Sequence, residues 1–202
     1  MTLSDAPRPP PDRAPPPGRT QFTFDDLLKM REAGVFVEGQ HVELVDGAFV
    51  TMPGEGTFHL FAVRVLGEWL ADTLRSDAAL HAKAAVYHHG TLLFDRHNRR
   101  EPDLMVADRV GPAQLLAPSS VRLVVECAAT SALTDLNSKR LEYAAAGIAE
   151  YWVWETGPQR LSVFRRPQDG DYAFRDTLIA GQTIAPLFAP GAAFEVDTLT
   201  SA

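Results

Sequence analysis

Four short apolar runs, at 84–87, 91–94, 103–106 and 121–127, read as strands and crowd the middle of the chain. What surrounds them narrows the fold. Thr23 is an N-cap residue followed by Asp25 and Asp26, and it opens a helix carrying Leu27, Leu28 and Met30. Residues 41–45 and 48–52 flank Asp46-Gly47, a dipeptide suited to a type I′ hairpin because both central residues need positive φ. Residues 58–74 place Phe58, Ala62, Val65, Leu66, Trp69 and Leu70 on one broad apolar helical stripe. A loop with Pro112 and Pro118 fills 109–120, and a further helix spans 133–146 through Leu136, Tyr143 and Ala146, with Gly147 as its stop. Strands at 150–154, 161–165 and 172–175 follow, turned by Gly157-Pro158 and Asp169-Gly170. The order is helix, hairpin, helix, strands, helix, strands. It predicts an α/β (α+β) fold, a mixed β-sheet flanked by helices, and not a regular βαβ array. GxGxxG and P-loop patterns are absent, so no nucleotide cofactor is expected.

Residues 1–20 hold seven of the 15 prolines and almost nothing apolar, the composition of a disordered, polyproline-like tail ahead of one domain at 21–202. Hydrophobic residues are 46% of the 202, enough to build a core. No run approaches the roughly 20 apolar residues that span a bilayer. The N-terminus carries no secretory signal, and the single cysteine, Cys127, excludes an internal disulfide and fits a reducing compartment. The expectation is a cytoplasmic protein with no membrane partner. Net charge is -7, and without the first 20 residues 16 basic residues stand against 24 acidic ones. A protein that holds nucleic acid by phosphate neutralisation is usually basic. A nucleic-acid partner would therefore need a local basic patch, or metal ions at an acidic site.

Two carboxylates stand at strand ends. Asp103, after Pro102, opens Leu104-Met105-Val106, and Glu126 closes Leu123-Val124-Val125. If these strands are neighbours, both acids reach one cavity and can bind a hard cation such as Mg²⁺ through oxygen; if not, they are solvated ends. Glu43 alternates with Val42 and Leu44, so it lies on the opposite strand face from them. Lys139 follows Glu126 on the next helix, where most lysines are surface charge. On spacing alone, the solvated reading leads for each of these residues.

Their order changes that balance. Glu43-Leu44-Val45-Asp46-Gly47, then Pro102-Asp103, then Val124-Val125-Glu126, then Asp135 followed by Lys139, resembles the Uma-two family of restriction endonuclease-like proteins in the PD-(D/E)XK nuclease superfamily. Further matches are Phe22-Thr23-Phe24-Asp25-Asp26-Leu27-Leu28, His59 early in the long helix, Tyr143-Ala144 through Gly147 to Glu150-Tyr151-Trp152, and Pro190-Gly191 before a closing strand. The resemblance runs from about Phe22 to Leu199. It has departures. Ala128 stands where the superfamily pattern puts a lysine, and Lys139 resembles a replacement that has migrated onto the helix. Ala128-Ala129-Thr130-Ser131 stands where relatives read much like Leu-Ser-Pro-Ser, and Ala149 where they often have proline.

The resemblance implies a restriction endonuclease-like fold and hydrolysis of a phosphodiester, DNA foremost, with Mg²⁺ or Mn²⁺. It implies Asp103 and Glu126 as metal ligands helped by the Cys127 carbonyl, and Lys139 at the developing phosphate charge or the attacking water. Glu43 would bind a second ion or hold a metal-bound water. His59, on a largely apolar helix, reads more readily as a core or hydrogen-bonding residue than as a ligand. Arg96, Arg99 and Arg100, just before Pro102, would supply the basic patch for nucleic acid, with a solvated hairpin tip as the competing reading. Cleavage of both strands needs two sites, so a homodimer follows by analogy. Two other functions stay open. One is a nuclease fold kept as a non-catalytic binding or assembly module, favoured by Ala128 and the acidic charge; the other is a hydrolase of small phosphate esters.

Overall fold

The computed structural model describes residues 20–37, 39–52, 56–111, 114–128 and 134–200. Residues 1–19 of the expected tail, Pro112, Leu133 and the stretch Ala129-Thr130-Ser131 lie outside the described residues. In chain order the first elements are α1 (Phe24–Glu32), β1 (Val42–Val45), β2 (Ala48–Thr51), α2 (Thr57–Arg75), α3 (Ala78–Lys83) and β3 (Ala84–His88). Then come β4 (Leu92–Asp95), β5 (Asn98–Arg100), β6 (Leu104–Asp108) and β7 (Val121–Ala128). A π-helical turn, Asp135–Lys139, runs directly into α4 (Arg140–Ala145). The chain closes with β8 (Glu150–Glu155), β9 (Arg160–Gln168), β10 (Asp171–Leu178), β11 (Thr183–Ile184) and β12 (Phe194–Glu195). Among the described residues no helix is long and apolar enough to cross a membrane.

Backbone contacts divide the chain into two compact units. The smaller takes Met1–Pro53 and Leu92–Glu101, and its sheet runs β2-β1-β5-β4. Its helix starts where the sequence puts it. The Thr23 hydroxyl accepts the Asp26 amide at 3.2 Å and the Asp26 carboxylate accepts the Thr23 amide at 2.9 Å, a reciprocal capping box. The β1–β2 hairpin turns through Asp46 at φ 47° and Gly47 at φ 72°, the two left-handed residues that a type I′ turn requires.

The larger unit takes Gly54–Thr91 and Pro102–Ala202. Its sheet runs β10-β9-β8-β7-β6-β3, with β7 and β8 parallel and the other pairs antiparallel. The parallel pair needs a crossover, and the π turn with α4 stands between those strands in sequence. On one sheet face Ala62, Leu66 and Leu70 of α2 pack with Leu104, Val106, Leu123, Val125, Trp152 and Trp154. Burying one such leucine contributes about 1.5–3 kcal/mol. Helix α4 packs on β9 and β10 and ends at Gly147, whose φ of 78° lets the Ile148 amide close on the Tyr143 carbonyl at 3.1 Å.

Three features depart from the sequence expectation. Phe58 is 71% exposed, so the core stripe of α2 begins one turn later, at Ala62. Helix α3 has no buried side chain and hence no apolar pattern; Asp77 starts it by accepting the Ala79 and Leu80 amides. Strand β5 takes up part of the segment read as a basic patch or solvated hairpin tip before Pro102, with Arg99 and Arg100 buried.

Candidate functional site

The antiparallel register of β6 and β7 sets Leu104 opposite Val125. One residue further along, Asp103 comes level with Glu126. Val125 and Cys127 belong to the core on the α2 side, so Glu126 between them points to the other face, toward the π turn and α4. The two strands are neighbours, which is the condition on which the sequence reading of these acids turned.

On that face Lys139 reaches Glu126. Its Nζ lies 3.0 Å from Glu126 Oε1 and 3.3 Å from Asp135 Oδ1, with the lysine side chain only 2% exposed. Tyr143, one turn on, donates its hydroxyl to the same Glu126 oxygen at 3.0 Å. Asp135, Lys139 and Tyr143 thus recur at a spacing of four and present one polar edge to β7. The ladder through Asp135–Lys139 is π-helical, a local widening often found at functional sites. Sequence reasoning assigned no role to Tyr143 or Asp135; the spacing of four back from Lys139 and forward from it was the available signal.

Asp103 belongs to a second, closed set of contacts. Its Oδ2 accepts the Cys127 amide at 2.6 Å, and its Oδ1 lies 3.5 Å from His59 Nε2. His59 Nδ1 meets the Cys127 carbonyl at 2.6 Å. A carbonyl only accepts, so that contact puts the proton on Nδ1. His59 therefore ties α2 to the strand end where the resemblance looks for a main-chain ligand.

Tyr151 on β8 senses the same field. Its hydroxyl donates to the Asp135 carbonyl at 3.1 Å and its ring lies edge-on to Tyr143 at 4.9 Å. Burial pushes its phenol well above the usual tyrosine range, and the negative charges of Glu126, Asp135 and Asp103 add to the rise. Tyr172, also buried and close to Glu150, is raised too.

In the smaller unit, Glu43 is 1% exposed and held in place. Arg100 donates to its Oε2 at 2.8 Å, and the Glu101 amide approaches Oε1 at 3.3 Å. Of the three arginines expected to form a surface patch, Arg96 is exposed at the β4–β5 turn. Arg99 and Arg100 are 3% and 5% exposed, with Arg99 on Glu101 and the Val42 carbonyl and Arg100 on Glu43. Burial lowers the Arg99 pKa from its ordinary value, and the Glu101 carboxylate opposes that fall. Guanidinium groups so placed serve their own unit's acids, and the backbone of this segment pairs with β1 and β4.

Asp103, Glu126 and Asp135 bring three buried carboxylates against one ammonium and one imidazole. Among the described residues no three His, Cys, Asp or Glu side chains are grouped so that they could hold a metal ion by themselves. An ion here would draw on two carboxylates, a main-chain carbonyl and water, as Mg²⁺ commonly does.

The family model described as "Putative restriction endonuclease", Uma2, matches residues 24–197. The chain belongs to the Uma2 family. The match spans described residues of both compact units. A crystal structure titled as "a putative nuclease belonging to DUF820", from Anabaena variabilis, superposes with a TM-score of 0.68 at 15% identity, covering 88% of this Uma2 chain and 97% of that one. At that identity the likeness establishes the fold: mixed sheets flanked by helices, in the arrangement of a nuclease-like neighbour. No curated protein matches the chain.

Proposed function

We propose that this Uma2 protein is an Mg²⁺- or Mn²⁺-dependent nuclease that hydrolyses phosphodiester bonds, with DNA as its substrate. The observation that carries the reading is the contact between Lys139 and Glu126. A nuclease of this kind needs a cation beside its metal-binding glutamate, Ala128 cannot supply it, and a lysine from the helix reaches the glutamate instead.

Asp103, Glu126 and the Cys127 carbonyl would hold the ion. When bound, it supplies Lewis-acid polarisation of a phosphate oxygen and of the attacking water. The remaining roles belong to the chain. Lys139 places a fixed positive charge where negative charge develops on the phosphate. Asp135 holds that ammonium from the far side. The Cys127 amide fixes Asp103, and His59 fixes the Cys127 carbonyl. Arg96, exposed at its turn, would meet a phosphate backbone.

One observation favours a second reading, the fold kept as a binding module: Asp103, Glu126 and Lys139 are all buried, and a scissile phosphate has to reach them. Cleavage of plasmid DNA and of single-stranded DNA and RNA, with Mg²⁺ or Mn²⁺, decides between them. The nuclease reading expects cleavage that chelator stops and that Asp103→Ala or Glu126→Ala abolishes. Intact nucleic acid under every ion, with binding retained, would leave the binding module.

A further inference from the structure

Arg140 opens α4, one residue after Lys139, and reaches the β9–β10 hairpin. Its guanidinium donates to one oxygen of Asp171, and Arg175 donates to the other. Alternate residues share a strand face, so Asp171 and Arg175 lie on one face of β10 with only Ala173 between them. Arg175 stands opposite Phe164 on β9, and Arg140 lies over the Phe164 ring at 5.9 Å. From Phe164 a run of rings leads to the acid centre. Tyr151 is 5.8 Å away, and Tyr143, whose hydroxyl meets Glu126, is 4.9 Å from Tyr151. The two arginines thus sit on the sheet face that carries Glu126 and Lys139.

The charge of this trio does not balance. Two guanidinium groups stay ionised while one carboxylate faces them, and among the described residues no other acid pairs with either. Burial and the like charge of Arg175 both lower the Arg140 pKa from its ordinary value, as expected of two cations held close. One arginine would be enough to fasten α4 to the hairpin. The second, Arg175, has a side chain 53% exposed, so the surplus positive charge reaches solvent.

We infer that Arg140 and Arg175 form a phosphate-binding site for the backbone of a DNA strand, beside the Glu126–Lys139 centre. The inference rests on the nucleic-acid reading of that centre. Outside the tail the chain sets 24 acidic residues against 16 basic ones, so a strand needs a place where positive charge outweighs negative. Guanidinium forks match phosphate oxygens as well as they match carboxylates, and a phosphate takes up the charge that Asp171 leaves unanswered.

The test is fluorescence anisotropy of a labelled DNA duplex with the full chain, in chelator so that no cleavage depletes the probe, across a range of salt. Losing one phosphate contact removes about 0.9 from the slope of log affinity against log salt, or about 3.5-fold in the affinity lost between about 50 and 200 mM salt. Arg175→Gln should show that change, with a melting temperature within about 2 °C of wild type because its ion pair is exposed. Arg140→Gln should lower the slope as well. Asp171→Asn, which releases both arginines, should bind about threefold tighter at low salt. A trio that only fastens α4 to the hairpin gives the opposite sign there, no tightening and a lower melting temperature. Wild type that binds DNA, with the slope unchanged in Arg175→Gln or no tightening in a folded Asp171→Asn, overturns the inference alone. Wild type with no salt-dependent binding to duplex or single strand overturns the nucleic-acid reading together with it.

Discussion

Lys139→Met is the most informative single change for the energetics of the centre. The ammonium is 2% exposed and lies between Glu126 and Asp135 at 3.0 and 3.3 Å. Met keeps an unbranched stem and lacks the terminal ammonium, so the charge is the main thing removed. Taking one partner from a buried pair leaves carboxylates without their counter-charge and costs about 3–5 kcal/mol. For a domain of this size that is a fall in melting temperature on the order of 10 °C. The loss should depend on pH. An unpaired buried carboxylate is disfavoured as the anion, so in the variant its folded-state pKa rises above the unfolded value of about 4.3. A folded pKa raised in this way gives stability that is present below the unfolded value and lost as pH rises through the folded one. The deficit should therefore be small near pH 4 and complete in neutral buffer. Urea unfolding of wild type and variant across that range measures it. Adding Glu126→Gln and Asp135→Asn should recover most of the loss, because neutral isosteres carry no charge to desolvate. A Lys139→Met variant as stable as wild type in neutral buffer would refute the view that this lysine neutralises a buried acid cluster.

Other outcomes follow from the same structure. In an ultraviolet titration the Tyr151 and Tyr172 phenols should stay protonated in the folded protein past pH 10; their raised pKa values stabilise the fold below the unfolded tyrosine value and that stability is lost as pH rises further, so phenolate absorbance and alkaline unfolding should appear together. Gly47→Ala should cost at least ~1 kcal/mol by thermal unfolding, because φ is 72° there and the added Cβ would meet the Gln21 Cβ at 2.5 Å. Phe58→Ser should change stability by no more than about 0.5 kcal/mol, while Leu66→Ala on the same helix should cost about 2–5 kcal/mol. Arg96→Glu should weaken DNA binding and reduce its salt dependence with the fold intact, whereas Arg100→Glu should unfold the smaller unit by setting a second acid on Glu43.

What the sequence made legible follows from how locally each feature is encoded. The Thr23 cap, the Asp46-Gly47 turn and the Gly147 stop depend on residues adjacent in the chain, and each element appears within a residue or two of the expected place. Strands carrying Asp103 and Glu126 were readable from their apolar runs, and their pairing brings the two acids level. Features that depend on distant partners were not readable. Asn98-Arg99-Arg100 has no apolar pattern; it is a strand through pairing with β1 and β4, with its guanidinium groups on Val42, Glu43 and Glu101. The π turn is invisible to periodicity, since Asp135, Lys139 and Tyr143 keep a spacing of four whichever ladder they follow. Tyr143 reads as a core aromatic in any pattern; only its hydroxyl, 3.0 Å from Glu126, gives it a part in the site. Phe58 misled in the opposite way, being apolar and in phase yet exposed.

The central claim is that the level carboxylates of β6 and β7 form an ion centre. Anomalous diffraction from crystals of the full chain soaked in Mn²⁺ tests it most directly. The account predicts one strong peak bounded by Asp103, Glu126 and the Cys127 carbonyl, absent from Asp103→Ala crystals. A folded, Mn²⁺-saturated crystal with no peak at those three groups would contradict it.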